Sequence, residues 1–169
     1  MITFGIDPGS LITGYGVIEE QGSKIMHIDN GVIRPKPTLD FSERLHHIYL
    51  EILDRLNEFK PEIIALEDIF VAKNIRSSMK LGHVRGIAML AAMSAQVKIA
   101  EYSPAQVKQA VVGIGNASKH QVQQMVKSYL KLPEIASEDA SDALAVAICH
   151  LHSYKMKKYD CSTNRKTSI

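Results

Sequence analysis

Cysteine is scarce in this chain. The 169 residues include two, Cys149 and Cys161, which form no C-x-x-C pair and match no zinc spacing, so the pattern argues against a disulfide framework and for a reducing interior. An excess of one charge is also missing. Twenty Lys and Arg face eighteen Asp and Glu, a net charge of +2, which supports no general affinity for polyanions and requires any basic surface to be local. No apolar run approaches the roughly 20 residues that span a bilayer. The opening MITFGID has neither the basic start nor the long apolar stretch of a secretory signal. Repeats and wide linkers are absent too. With 46% apolar residues, the expectation is one soluble, cytoplasmic domain with a single sizeable core.

What is present begins with TFGIDPGSLITGYGVI, Thr3 to Ile18. Ile2 to Ile6 is close to a continuous apolar run, as in a central strand, and it stops at an acid, Asp7. Gly14 to Glu20 reads as a second strand, Gln21-Gly22-Ser23 as a turn, and Lys24 to Arg34 as a third strand interrupted at Asp29-Asn30-Gly31. Two adjacent hairpins begin an antiparallel sheet. Leu45, Ile48, Tyr49, Ile52, Leu53, Leu56 and Phe59 then recur at three-four spacing, an amphipathic helix that Lys60-Pro61 ends. IIAL, Ile63 to Leu66, is a short buried strand that stops at a second acid, Glu67. A helix from about Ser77 to Gln96 and a strand over Val97 to Tyr102 follow, and Ser103-Pro104 reads as a helix cap and first helical position. That helix reaches Val112, another starts at Ser118, and a last one starts near Ser137. From Lys155 the chain turns polar and basic, which predicts a folded domain over 1–154 and a disordered tail over 155–169. Meandering strands followed by alternating helix and strand predict an α/β fold with a mixed sheet flanked by helices.

The acids form the candidate site. EDASDALA places Asp139 and Asp142 three apart on one helical face. Acids in a first helical turn also meet the helix macrodipole favourably and need no other purpose. Asp7 and Glu67, however, each end a strand, and a right-handed crossover between parallel strands sets those ends side by side, where α/β folds place their sites. Acids gathered there repel unless cations sit between them. Carboxylates suit Mg²⁺, held together with waters and phosphate oxygens. Two such ions roughly 3.5–4 Å apart clamp the attacking and leaving oxygens of a phosphoryl displacement, which is nuclease chemistry. Asp68 should point away from Glu67 and is left outside this set. Gly9 and Gly14 are expected to keep the approach of a phosphate backbone uncrowded.

GIDPGSLITGYGVI, ALEDIF, KLGHVRG, QVKQAVVGIGNASKHQV and DASDALAVAICH, in this order over nearly the whole chain, resemble the RuvC family of Holliday junction resolvases. The resemblance implies a ribonuclease H-like fold with a five-stranded mixed sheet. It also implies a homodimer that makes paired nicks in four-way junction DNA with Mg²⁺ or Mn²⁺, and a RuvAB branch-migration complex as partner. It places the catalytic, metal-holding acids on Asp7, Glu67, Asp139 and Asp142. Lys108 and Lys119 resemble basic residues near the scissile phosphate, where an ammonium holds the phosphate or stabilises developing charge. Lys73, Arg76 and Lys80 are further DNA-binding candidates, with Arg85 and Lys127 behind them; such contacts fix register without reading bases. Phe70, otherwise a core aromatic, falls where the family approaches unpaired bases. The dimer surface is expected on the helix of SSMKLGHVRGIAMLAAMSAQ, through Gly82, Gly86, Leu81, Met89, Leu90 and Met93.

Two other classes fit parts of the pattern. The opening stretch also looks like the phosphate loop of actin-type and sugar-kinase ATP-binding domains, which need two such domains around a cleft. A DNA-binding structural protein with incidental acids is the other.

Overall fold

The computed structural model describes residues 1–68 and 75–163, with the side chains of 155–163 left aside. Five strands, β1 (Ile2–Asp7), β2 (Thr13–Gln21), β3 (Lys24–Ile33), β4 (Ile63–Glu67) and β5 (Lys98–Tyr102), form one sheet in the order β3-β2-β1-β4-β5. The two hairpins are antiparallel, whereas β4 pairs parallel with both β1 and β5. The mixed five-stranded sheet is therefore the one expected. The break expected at Asp29-Asn30-Gly31 is instead a bulge: Val17 pairs with Asp29 and Ile18 with His27, leaving Ile28 as the extra residue in an unbroken β3.

Among the described residues five helices cover the sheet: α1 (Phe41–Phe59), α2 (Ile75–Ser94), α3 (Pro104–Val112), α4 (Lys119–Leu130) and α5 (Glu138–Thr163). Their ends follow local chemistry. Asp40 with Glu43, Ser103 with Gln106 and Ser118 with Gln121 each form a capping box, satisfying amides that the first helical turn leaves unpaired. Pro104 occupies the first position of α3, and Gly113 ends that helix at a φ of 87°.

α5 runs on to Thr163, so the disordered tail expected from residue 155 is replaced by helix over 155–163. Lys, Met and Tyr are all tolerated in helices, and a nucleated helix propagates through a polar stretch at little cost. Residues 164–169 of the expected tail lie outside the described residues.

Strand alternation sorts the core into two layers. On one face Phe4, Ile6, Ile64 and Leu66 pack against Ile48, Ile52 and Leu56 of α1 and Val84 and Ala88 of α2. On the other, Ile18 and Ala65 pack against α3, α4 and the Ala-rich side of α5, with Leu144 and Ile148 fully buried. Among the described residues no helix is long and apolar enough to cross a membrane.

Candidate active site

Asp7 and Glu67 reach the same place by register. Ile6 pairs with Leu66 in the parallel β1–β4 ladder, so the next residue on each strand is an acid at the carboxyl end. Phe4 and Ile6 turn to the α1 and α2 layer; period two then turns Asp7 to the α5 side, and Glu67 with it. Asp68, one residue further, points the other way, as expected. Its carboxylate lies 3.4 Å from Arg85 of α2, and its amide donates to the Tyr102 carbonyl at 2.7 Å.

The second pair of acids depends on how closely α5 lies on the sheet. A Cβ on Gly14 would come 2.0 Å from the Asp139 carbonyl oxygen, and one on Gly5 would come 2.0 Å from that of Ala143. Only glycine permits this approach. Gly14, paired with Asp7 across β1 and β2, thus makes room for the backbone of α5 and not for a phosphate. Its place lowers the first turns of α5 over the ends of β1 and β4.

The result is a cleft lined by Asp7, Glu67 and Asp142, by Lys108 of α3 and Lys119 of α4, and by Pro104, Val107, Val122 and Ala145. Asp139 is not among the lining residues, but its charge acts on both Asp7 and Asp142. At about 270 Å³ the cleft falls below the roughly 300–1,000 Å³ of sites that enclose a small-molecule ligand. It suits an ion-and-phosphate site better than a nucleotide, and among the described residues one sheet forms and no second lobe for the actin-type arrangement.

Burial raises the Asp7 carboxyl to about 7, with further upward pushes from Asp142, Glu67 and Asp139 and a smaller downward pull from Lys119. Glu67 is also raised, by burial first and then by Asp142, against Lys108 and Lys119. Asp142 is raised by burial although Lys119 opposes the shift. Carboxylates that raise one another in this way are poised to exchange protons for a hard cation. Among the described residues no group of three or more acids, histidines or cysteines stands close enough together to hold a metal ion by itself. A Mg²⁺-type ion takes one or two carboxylates and completes its octahedron with waters and substrate phosphate oxygens, so this all-carboxylate donor set fits it.

Lys119, the first residue of α4, bonds to Glu138, the first of α5, and stands 3.5 Å from Asp142 Oδ2. The Glu138 bond is the main cause of its raised pKa. Sequence reasoning passed over Glu138; the three acids of EDASD offered a faint signal, but its partner comes from a separate helix. Arg76 and Lys80 are exposed on α2, away from the cleft lining, with the Lys80 ammonium 5.7 Å from the Phe41 ring centre. Arg85 is committed to Asp68 and Glu101. Phe70 and Lys73 lie outside the described residues.

The family model described as "Crossover junction endodeoxyribonuclease RuvC" matches residues 3–150. A protein of that name from Geobacter sp. (strain M21) is 54% identical over 156 residues, covering 92% of this chain and 95% of the relative. The structure of T. thermophilus RuvC in complex with Holliday junction substrate superposes with a TM-score of 0.88 at 34% identity, covering 93% of this chain and 96% of that one. The yeast mitochondrial Holliday junction resolvase Ydc2 shares the fold at a TM-score of 0.72 and 14% identity, over 96% and 83% of the two chains. With a matching family model over most of its length and four acids set by register, glycine contact and helical spacing, the chain belongs to the RuvC family of crossover junction endodeoxyribonucleases.

Proposed function

We propose that this protein resolves four-way DNA junctions by paired, metal-dependent nicks in strands of like polarity. The observation that carries the reading is the shared position of Asp7 and Glu67 on adjacent parallel strands beneath Asp142 and Asp139, with two lysines across the cleft. Asp7, Glu67, Asp139 and Asp142 are assigned to hold divalent cations, two Mg²⁺ ions per site with Mn²⁺ as substitute. Bound there, such ions would supply Lewis-acid chemistry, lowering the pKa of a water and offsetting charge that develops on the phosphate. The rest of the work falls to the chain. The strand ends hold Asp7 and Glu67 on a rigid base, which would keep their oxygens aligned for a cation. Lys108 anchors the backbone, and Lys119 faces the charge that builds on the phosphate oxygens. Arg76 and Lys80 on α2, and Lys73, are assigned to DNA flanking the cut. Phe70 is assigned to stacking on an unpaired base at the crossover.

A homodimer is the second element of the proposal. Met79, Gly82, Gly86, Leu90 and Met93 form one stripe on α2, and a Cβ on Gly82 or Gly86 would meet nothing within 4 Å. Met79, Leu90 and Met93 are 59%, 54% and 65% exposed, more apolar area than a lone surface residue leaves in water. Leu81 is half-buried. Met89, expected on this surface, packs against the α1-side core instead. Two-fold pairing presents two clefts to two like strands at once. A RuvAB complex as partner rests on the family resemblance, and a cytoplasmic setting on the sequence pattern.

The test is a labelled four-way junction and a linear duplex of the same sequence, each incubated with and without Mg²⁺. Symmetric nicks confined to the junction and to the Mg²⁺ samples are the expected result; equal cutting of both substrates, or of neither, overturns the reading.

A further inference from the structure

We infer that Glu138 is a positioning residue that keeps Lys119 at the rim of the cleft while Asp142 is handed to the cation. The inference rests on the nuclease reading above and assigns a role to a residue outside the four acids. Glu138 and Asp142 are one helical turn apart on α5, so both carboxylates lie on one side of it. The Lys119 ammonium sits between them, bonded to Glu138 and 3.5 Å from Asp142 Oδ2. Asp142 lines the cleft and Glu138 does not. The Asp142 side chain is 26% exposed against 59% for Glu138.

These positions set up a competition. An ammonium resting on Asp142 blocks a carboxylate that the cation needs. Lysine carries its charge on a flexible stem, and a divalent cation at Asp142 would repel it from the cleft. Glu138 resolves both difficulties. It offers the ammonium a second anion outside the cation site, so Asp142 can turn inward while Lys119 stays within reach of the phosphate. The pair is solvent-exposed and therefore weak, which lets a phosphate oxygen replace Glu138 when DNA arrives. The plainer role for Glu138, an acid meeting the dipole of the α5 amino end, would act on stability and would not involve Lys119.

The experiment is a double-mutant cycle with Glu138→Gln and Lys119→Ala. Each variant is titrated with Mn²⁺ alone by calorimetry, without DNA. Single-turnover junction cleavage is then followed against Mg²⁺ concentration, and junction affinity is measured in the absence of divalent ions. In the parent background Glu138→Gln should weaken Mn²⁺ binding about two- to fivefold, the upper part of the range an exposed pair commands. It should slow cleavage at saturating Mg²⁺ by a similar factor and change junction affinity less than about twofold. In the Lys119→Ala background it should change neither quantity. An equal loss in both backgrounds overturns the inference in favour of a bare charge effect, and no loss in the parent background overturns it outright. A parent that binds Mn²⁺ but leaves junctions intact refutes the nuclease reading, while the calorimetric cycle still decides whether Glu138 acts through Lys119.

Discussion

The α-carbon of Gly14 lies against the carbonyl oxygen of Asp139, so that a methyl group placed there would stand 2.0 Å from it. Gly14→Ala must therefore push α5 off the sheet or strain both backbones. Overpacking of this kind costs about 1–3 kcal/mol, or roughly 2–12 °C in melting temperature for a chain of this size. Cleavage should fall further than stability does, because the displaced helix carries Asp139 and Asp142. Calorimetric melting beside a junction-cleavage assay measures both, and a stable, fully active variant would show that α5 is not held by this contact.

Asp7 makes the site sensitive to pH. Its carboxyl titrates near 3.8 when unfolded and near 7 in the fold. Between those values the folded state holds more protons than the unfolded one, so stability falls as pH rises through that window and levels off above about 7. The cost at pH 8 has a ceiling of about 4 kcal/mol. Asp7→Asn should melt higher than the parent at pH 8 in chelator, match it near pH 4, lose the gain in stability that Mg²⁺ confers on the parent, and cut no junction. A variant that melts lower than the parent at pH 8 would refute the repulsive cluster.

Lys108 and Lys119 should separate by readout. Lys108→Ala is expected to weaken junction binding and to lower the salt slope by about one. Lys119→Ala should slow single-turnover cleavage far more than it weakens binding, the mark of an interaction made in the transition state. Equal losses for Lys119→Ala would make it a second anchor.

Arg85 belongs to the scaffold. Its side chain, 16% exposed, bridges Asp68 at the end of β4 and Glu101 of β5. Arg85→Ala should cost about 1 kcal/mol, because the two carboxylates it bridges are 58% and 46% exposed and stay hydrated when it is removed. The salt slope of junction binding should stay unchanged. A slope reduced by one with no loss of stability would return Arg85 to the DNA surface.

The proposed dimer is tested on the α2 stripe. Gly82→Leu and Leu90→Glu change exposed positions, so both variants should fold and sediment as monomers, bind junctions weakly and leave unpaired nicks. A parent that sediments as a monomer at micromolar concentration with junction present would remove the dimer from the proposal.

Much of this was legible in the sequence because it is governed by local chemistry. Ser103 and Pro104 marked the start of α3, alternation separated Glu67 from Asp68, and two apolar strands ending in acids pointed to the cleft. What escaped depends on tertiary neighbours. Gly14 read as a glycine that leaves room for a phosphate because nothing in sequence reveals a helix lying on it. Arg85 read as a DNA contact because Asp68 and Glu101 come from other segments. Met89 fell on the stripe by spacing alone, yet rotation of α2 turns it inward. The tail was read from polarity, a poor guide once a long helix has been nucleated upstream.

The placement of α5 across β1 and β2 also governs when the protein becomes active. Asp7 on β1 is made well before Asp142 on α5, and the cleft closes only where Gly5 and Gly14 receive that helix. A chain still emerging from the ribosome can pair its first three strands, since their hairpins are local. It holds one acid of four at that stage and two once β4 has formed. On the function proposed above, the newborn polypeptide should be unable to cut nucleic acid until α5 docks, and fragments that end before α5 should lack two of the four carboxylates assigned to the cations.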